Sequence, residues 1–267
     1  MLQQTQVDRV VPKFEAFVAR FPTLEALAAA SVADVLRLWQ GLGYNSRAIR
    51  LQGVAREVIA RFGGAMPRDE RDLRSLPGIG PYTAAAIRAF GFDEDDAPMD
   101  TNIRRIVHRL RFGIEYPPQA TSPELDAQAR ALAPGGAAHD WNSAMMDLGA
   151  TICTARAPKC LVCPLRMWCR ATPVEAAALE LLRKQHAKKP SPQNAIPFER
   201  TTRYARGRIV DRLRALPPGE RISLLDLHAD LQPLLPERPL KELERLVAIL
   251  ERDGLVACDG PFIALRD

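Results

Sequence analysis

No apolar run in the 267 residues approaches the length of a membrane span, and nothing at residue 1 reads as a secretory leader. A cytoplasmic home is expected on both counts. Cysteine is scarce, with five residues in the whole chain, and a cytoplasmic protein rarely keeps such cysteines as disulfides. Alternating β-branched runs are absent from residues 1 to about 172, which disfavours a sheet there. A basic tail is missing too. Lys+Arg against Asp+Glu stands at 21 to 18 over residues 1–172 and at 16 to 14 over 173–267. The net charge of +5 therefore permits a polyanionic partner, but only local clusters can hold one. What remains, 47% hydrophobic and 26% charged, is the composition of an ordinary globular protein, long enough for two domains.

Apolar residues recur at three- and four-residue spacing through Phe14 to Phe21, Leu24 to Ala30, Val32 to Gly41, Ala48 to Phe62, Ala84 to Phe90 and Asn102 to Phe112. The first 172 residues are thus expected to be almost entirely helical. The opening MLQQTQV is expected to be helix interior, because Leu2, Val7, Val10 and Val11 share one apolar face with no cap before them. Prolines and polar residues mark 173–199 as a linker. Residues 200–267 then show helical patterns at Thr202 to Leu216, Leu224 to Leu231 and Leu240 to Asp253, and two short strands around Asp259-Gly260. That order predicts a small winged-helix-like α+β module. Its first helix carries Arg200, Arg203, Arg206, Arg208, Arg212 and Arg214, which could meet phosphates or form a solvated face.

Cys153, Cys160, Cys163 and Cys169 are spaced C-x6-C-x2-C-x5-C, and this loop at 153–169 is the most specific signal in the chain. Four thiolates so close in sequence can close around one metal centre, and spacing alone leaves zinc and iron–sulfur open. Arg156, Lys159, Arg166 and Arg170 surround the loop and could face phosphates. Cys258 stands apart and reads as a small core residue.

In Leu76-Pro77-Gly78-Ile79-Gly80-Pro81-Tyr82, two glycines form a tight turn between helical segments whose backbone N–H groups can hold a phosphate. Asp100 follows at the start of another helix, where an aspartate is commonly an N-cap. A carboxylate facing a pocket there could also stabilise an oxocarbenium-like sugar.

The glycine hairpin, the aspartate and the cysteine loop, in that order, resemble the helix-hairpin-helix DNA glycosylases of the endonuclease III superfamily. MLQQTQV, Leu38-Trp39-Gln40-Gly41-Leu42-Gly43-Tyr44 and Asn142-Ser143-Ala144-Met145-Met146-Asp147-Leu148-Gly149-Ala150 narrow the resemblance to the adenine DNA glycosylases of MutY type. The resemblance covers nearly all of residues 1–170. It implies a mainly α fold, a six-helix barrel with an iron–sulfur domain, over 1–172. It implies a [4Fe-4S] cluster on Cys153, Cys160, Cys163 and Cys169, structural or redox-responsive. It makes Asp100 the catalytic carboxylate, Asn102 its neighbour that orients sugar and phosphate, and Gly78 and Gly80 the phosphate grip. Gln4 and Tyr44 become the side chains that enter the duplex beside the flipped base. Where the lyase branch has a lysine this chain has Tyr82, which cannot form a Schiff base, so a monofunctional glycosylase is expected. The implied substrate is double-stranded DNA with a mispaired base, most directly adenine opposite 8-oxoguanine or guanine. The implied protein is a monomer, nucleoid-associated and without a membrane partner.

Three departures accompany the resemblance. The family's general acid, a glutamate, stands two residues before the motif methionine that is Met1 here, so a misplaced start is expected and the chain as written should lose about two to four decades in rate. Residues 200–267 are too short for the family's domain that reads 8-oxoguanine. Thr101 stands where the adenine-specific pattern has glycine. Mismatch thymine or uracil removal is the alternative within the superfamily, and a non-catalytic DNA-binding damage sensor is the alternative outside it.

Overall fold

Short polar residues at helix starts cut the N-terminal part into brief helices. In the computed structural model, which describes residues 1–2, 5–187 and 196–267, the Thr23 hydroxyl accepts from the Ala26 N–H at 3.2 Å and the Ser31 hydroxyl from the Asp34 N–H at 3.0 Å. These caps begin α2 (Leu24–Ala29) and α3 (Val32–Leu38), which follow α1 (Val7–Arg20). Helix α4 (Ser46–Phe62) ends at Gly63, whose φ of +61° is the left-handed stop that glycine tolerates. The N-terminal expectation needs correction. The helix starts only at Val7, after Gln6 in extended conformation, and Leu2, Val7 and Val11 are exposed while Val10 is buried. Gln4 lies outside the described residues.

The C-terminal segment forms α11 (Thr202–Arg214), β1 (Ile222–Ser223), α12 (Leu224–Leu231), α13 (Leu240–Arg252), β2 (Val256–Asp259) and β3 (Phe262–Leu265). The antiparallel sheet runs β1-β3-β2, with Asp259 opposite Phe262 across a turn in which Gly260 takes φ +57°. The three helices and the hairpin match the expected module. Strand β1 has no counterpart in the sequence reading, because two residues are too few to alternate.

By contacts the chain divides into two compact units, Met1–Met66 with Leu76–Gly78 and Pro190–Asp267, and Pro67–Ser75 with Ile79–Lys189. The first cuts across the boundaries drawn from sequence, for a physical reason. Phe17, Leu36 and Trp39 from the N-terminal helices belong to the same buried cluster as Ile209, Leu213 and Leu250 from the C-terminal module. The Ala33 N–H donates to the Arg266 carbonyl at 2.8 Å, and Arg214 donates to the Asn45 side chain at 2.6 Å.

The second unit holds α5 (Glu70–Ser75), α6 (Pro81–Ala86) running into a π-turn (Ile87–Gly91), α7 (Thr101–Arg111), α8 (Ser122–Leu132) and α9 (Ala138–Thr151). Its core joins Ile103, Ile106 and Val107 of α7 with Leu125 and Ala129 of α8 and Met145 and Leu148 of α9. Within the span read as a linker, Ala176–Gln185 is helix α10, held by a fully buried Leu179 against Ala171 and Val174. The proline-rich residues of that span, 188–195, lie outside the described residues.

Candidate functional site

The segment before Asp100 is pinned from below. Buried Asn142 donates to the Asp96 carbonyl at 2.9 Å and to the Ala138 carbonyl at 2.8 Å, and the Asp96 carboxylate receives Arg88 Nε at 3.0 Å and its neighbour's N–H, from Ala97, at 2.8 Å. With that strand of chain fixed, Asp100 takes the N-cap position of α7. Its Oδ1 accepts from the Asn102 N–H at 2.8 Å and the Ile103 N–H at 2.7 Å, and its Oδ2 accepts from the Asn102 side-chain amide at 3.1 Å. The N-cap of α7 is thus a half-buried carboxylate with both oxygens hydrogen-bonded.

Tyr82 stands on α6, 39% exposed. Burial of its ring and the nearby Asp100 carboxylate both push the phenol above its ordinary range, so it stays neutral at physiological pH. The structure places Asn102 in hydrogen-bond contact with Asp100, and Tyr82 near enough to that carboxylate to feel its charge. In the hairpin turn Gly78 has φ +79°, and a Cβ there would lie 2.6 Å from Arg50 Cδ. Gly80 differs. Its φ of −93° suits any residue and a Cβ would meet nothing within 4 Å, so neither strain nor packing accounts for the glycine. A bound group approaching the backbone would account for it.

Two arginines missed by the sequence reading connect this region to the cysteine loop. Arg105, one turn beyond Asn102, donates to the Asn102 side-chain oxygen at 3.0 Å, to the Gly149 carbonyl at 2.8 Å and to the Cys153 carbonyl at 2.9 Å. A continuous chain of hydrogen bonds therefore runs from Asp100 through Asn102 and Arg105 to the first cysteine. Gly149 makes that crossing possible: a Cβ there would sit 2.8 Å from Asn102 Cβ and 3.2 Å from Ile106 Cδ1. Helix periodicity could have flagged Arg105 and Arg109, since both lie on the α7 face that carries Asn102 and Ile106.

Arg109 is 1% exposed. It is gripped by Glu115 through two bonds of 2.8 and 2.6 Å, donates to the Thr154 carbonyl at 2.8 Å and reaches Cys153 Sγ at 3.6 Å. Burial works against its charge, but the Glu115 carboxylate and Cys153 outweigh that and hold the guanidinium above its usual range. Cys153, Cys160, Cys163 and Cys169 line one small cavity together with Arg109 and Arg166. The Cys169 thiol is pushed up by burial and by its neighbours Cys153 and Cys160. Among the described residues no three Cys, His, Asp or Glu side chains form a group placed to hold a single metal ion. Cys258 is exposed on β2 rather than in the core.

Tyr44 belongs to the other unit. Gly41, Gly43 and Tyr44 have φ of +88°, +67° and +47°, an uncommon run of left-handed backbone for which a tyrosine carries a cost of about 1–2 kcal/mol. The loop is held by Trp39, whose indole N–H donates to the Gly43 carbonyl at 3.0 Å, and by Arg47, which donates to the Leu42 carbonyl at 2.9 Å and the Met1 carbonyl at 3.2 Å. The result presents the Tyr44 ring 40% exposed, with Arg203 stacked 3.8 Å above it.

Comparison with known proteins agrees with the geometry. Residues 1–129 match the HhH-GPD superfamily of base excision DNA repair proteins. The adenine DNA glycosylase of Mycolicibacterium smegmatis is 38% identical over 264 residues, 98% of this chain and 84% of that protein. The human adenine DNA glycosylase is 42% identical over 173 residues, which are 64% of this chain and 32% of the human protein. Among solved structures, a thermostable thymine-DNA glycosylase superposes with a TM-score of 0.58 at 32% identity, covering 63% of this chain and 78% of that one. An endonuclease III in a non-covalent complex with DNA shares the fold, with a TM-score of 0.55 at 24% identity over 63% of this chain and 78% of that one. The chain belongs to the HhH-GPD superfamily of base excision DNA repair proteins.

Proposed function

We propose that this family member is a monofunctional DNA glycosylase that acts as a monomer on double-stranded DNA and hydrolyses the N-glycosidic bond of a flipped adenine mispaired with 8-oxoguanine or guanine. The observation that carries the reading is the Asp100 carboxylate, fixed by three N–H donors and half exposed beside neutral Tyr82. As the bond from C1′ to the base breaks, its electrons leave with the purine and the sugar becomes a cation, which Asp100 stabilises. Water then adds to C1′, and the proton it gives up to solvent balances the one the departing adenine takes up. Asn102 keeps Asp100 in place and offers polar contacts to the sugar and phosphate, and Gly78 and Gly80 leave the hairpin backbone open to a phosphate. Tyr82, near Asp100, offers no amine for a Schiff base. Adenine specificity draws on the mycobacterial relative, which this chain matches along nearly its whole length.

The cysteine loop fits an iron–sulfur centre. Four thiols line one cavity, and the buried Arg109 cation beside Cys153 suits an anionic, thiolate-bound group. We assign a [4Fe-4S] cluster to Cys153, Cys160, Cys163 and Cys169. When bound, the cluster would cross-link residues 153–169 and supply structural or redox chemistry rather than hydrolysis. We likewise read the protein as a cytoplasmic enzyme of the nucleoid, with Gln4 and Tyr44 at the lesion.

The test is single-turnover base release from duplexes carrying A:8-oxoguanine, A:G, T:G or U:G. It is run on this chain and on a form extended upstream to include a glutamate two residues before Met1, each with Asp100→Asn as control. The expected outcome is adenine release, fastest in the extended form and abolished by the substitution. Release of thymine or uracil alone would reassign the substrate, and tight mismatch binding with no release from either form would make the protein a sensor.

A further inference from the structure

The arginine-rich helix α11 looks from sequence like a broad basic surface, but the structure spends most of it on internal ion pairs. Arg200 pairs with Glu237 at 2.9 Å, Arg212 with Asp230 at 2.6 Å, Arg208 with Asp211 at 2.6 Å, Arg206 with Asp253, and Arg214 with Asp211 at 2.8 Å. Arg203 is different. Among the described residues it makes no ion pair, and its guanidinium lies 3.8 Å over the Tyr44 ring and 5.7 Å from that of Phe198.

That stack faces a cavity of about 670 Å³, walled within one compact unit by Arg9, Tyr44, Arg203, Arg206, Arg208 and Arg214 among others. Arg9, exposed near the start of α1, also has no ion pair among the described residues. Arg214, with a side chain only 4% exposed, ties α11 to the Tyr44 loop through Asn45, so the two walls are held together. Among the described residues the buried Nε donors of Arg208 and Arg214 have no acceptor. Among the described residues that line the cavity Asp211 is the one acid, set against Arg208 and Arg214, while Asp253 beyond the wall pairs with Arg206. A guanidinium stacked on an aromatic uses its face and keeps its in-plane N–H groups for a bidentate acceptor, and Tyr44 holds Arg203 in that pose before any ligand arrives.

We propose that this cavity is a phosphate site for the DNA backbone, in which Arg203, supported on Tyr44, forks one phosphate and Arg9 adds a second positive charge. Binding at this site would be sequence-independent and would bring the C-terminal module into contact with DNA, and the inference rests on the DNA reading above. The strained backbone at Tyr44 turns the ring outward next to Arg203, so the phosphate site lies beside the place proposed for the lesion.

The test measures affinity for an A:8-oxoguanine duplex against salt concentration in the wild-type chain, Arg203→Ala, Arg203→Lys and Arg212→Ala, with thermal midpoints to confirm folding. Arg212→Ala removes the same formal charge from the same helix at an ion-paired position. The expected result is about tenfold weaker binding for Arg203→Ala, with the slope of log K against log salt reduced by about 1. Arg203→Lys should recover the slope but not the full affinity, and Arg212→Ala should resemble wild type. Equal losses at 203 and 212 would mean that only bulk charge matters and would overturn the proposal, as would an unchanged Arg203→Ala slope. Titration with inorganic phosphate alone distinguishes the sources: saturation by free phosphate, with no effect of Arg203→Ala on DNA binding, identifies a small-anion site instead. A wild-type chain that binds no duplex at all would count against the glycosylase reading itself.

Discussion

Asp100 caps α7 and, in the proposed reaction, also stabilises the sugar cation, and two substitutions separate the two roles. Asn caps helices about as well as Asp, so Asp100→Asn should keep α7 and shift stability by no more than about 0.5 kcal/mol, yet lower base release by about 10² or more because the charge is gone. Asp100→Ala loses the cap as well and should cost about 1 kcal/mol in addition. Thermal unfolding beside single-turnover kinetics reads both effects, and a large stability loss in the Asn variant would show that the carboxylate is mainly structural. Arg109 poses the opposite case, a buried cation whose value lies in its partner. Arg109→Met strands the Glu115 carboxylate, whose side chain is 13% exposed, and should destabilise the unit by about 3–5 kcal/mol. Adding Glu115→Leu should recover most of the loss, because the penalty comes from the unpaired charge; a double variant as unstable as the single would refute that account.

At the scale of elements, the crossing of α7 and α9 is set by Gly149. A methyl there would press on Asn102 Cβ, which is too close to the backbone to swing away. Gly149→Ala should therefore cost about 1–3 kcal/mol and also slow base release, since Asn102 is the residue displaced. Arg105→Gln is the comparison: it breaks the link from Asn102 to the Cys153 carbonyl without forcing the helices apart, so it should slow release at a smaller cost in stability. These elements were only partly legible in the sequence. Periodicity located α2, α3, α12 and α13 to within a few residues, because each has one face against a core. The motif named Asp100, Asn102 and Tyr82, and the structure places Asn102 against Asp100 and Tyr82 near it. Helix α10 was hidden by the prolines that follow it, and β1 by its brevity. Arg105 and Arg109 were not singled out, since a sequence does not display the carbonyls and the carboxylate that receive them. Around α11 the converse holds: of the six arginines all but Arg203 pair with acids at 211, 230, 237 and 253, which a run of basic residues in a sequence does not display.

At the scale of the whole molecule, the C-terminal module is not an appendage to the N-terminal helices but part of their core. Leu36 and Trp39 are buried in the same cluster as Ile209 and Leu213, and the Arg266 carbonyl closes the first turn of α3. A linker-tethered domain could be deleted with little effect on its neighbour. Here, a chain ending at residue 187 would leave the faces of α1, α3 and α4 without their cover, an apolar surface large enough to unfold them or drive association. Hydrogen exchange checks this directly. Protection should collapse across residues 7–62 in the truncated chain, while α7, α8 and α9, whose core of Ile103, Val107, Leu125 and Met145 draws nothing from the module, should keep theirs. Undiminished protection in α3 and α4 would mean that the shared cluster contributes little to stability. Uniform collapse of both units would mean that they unfold as one.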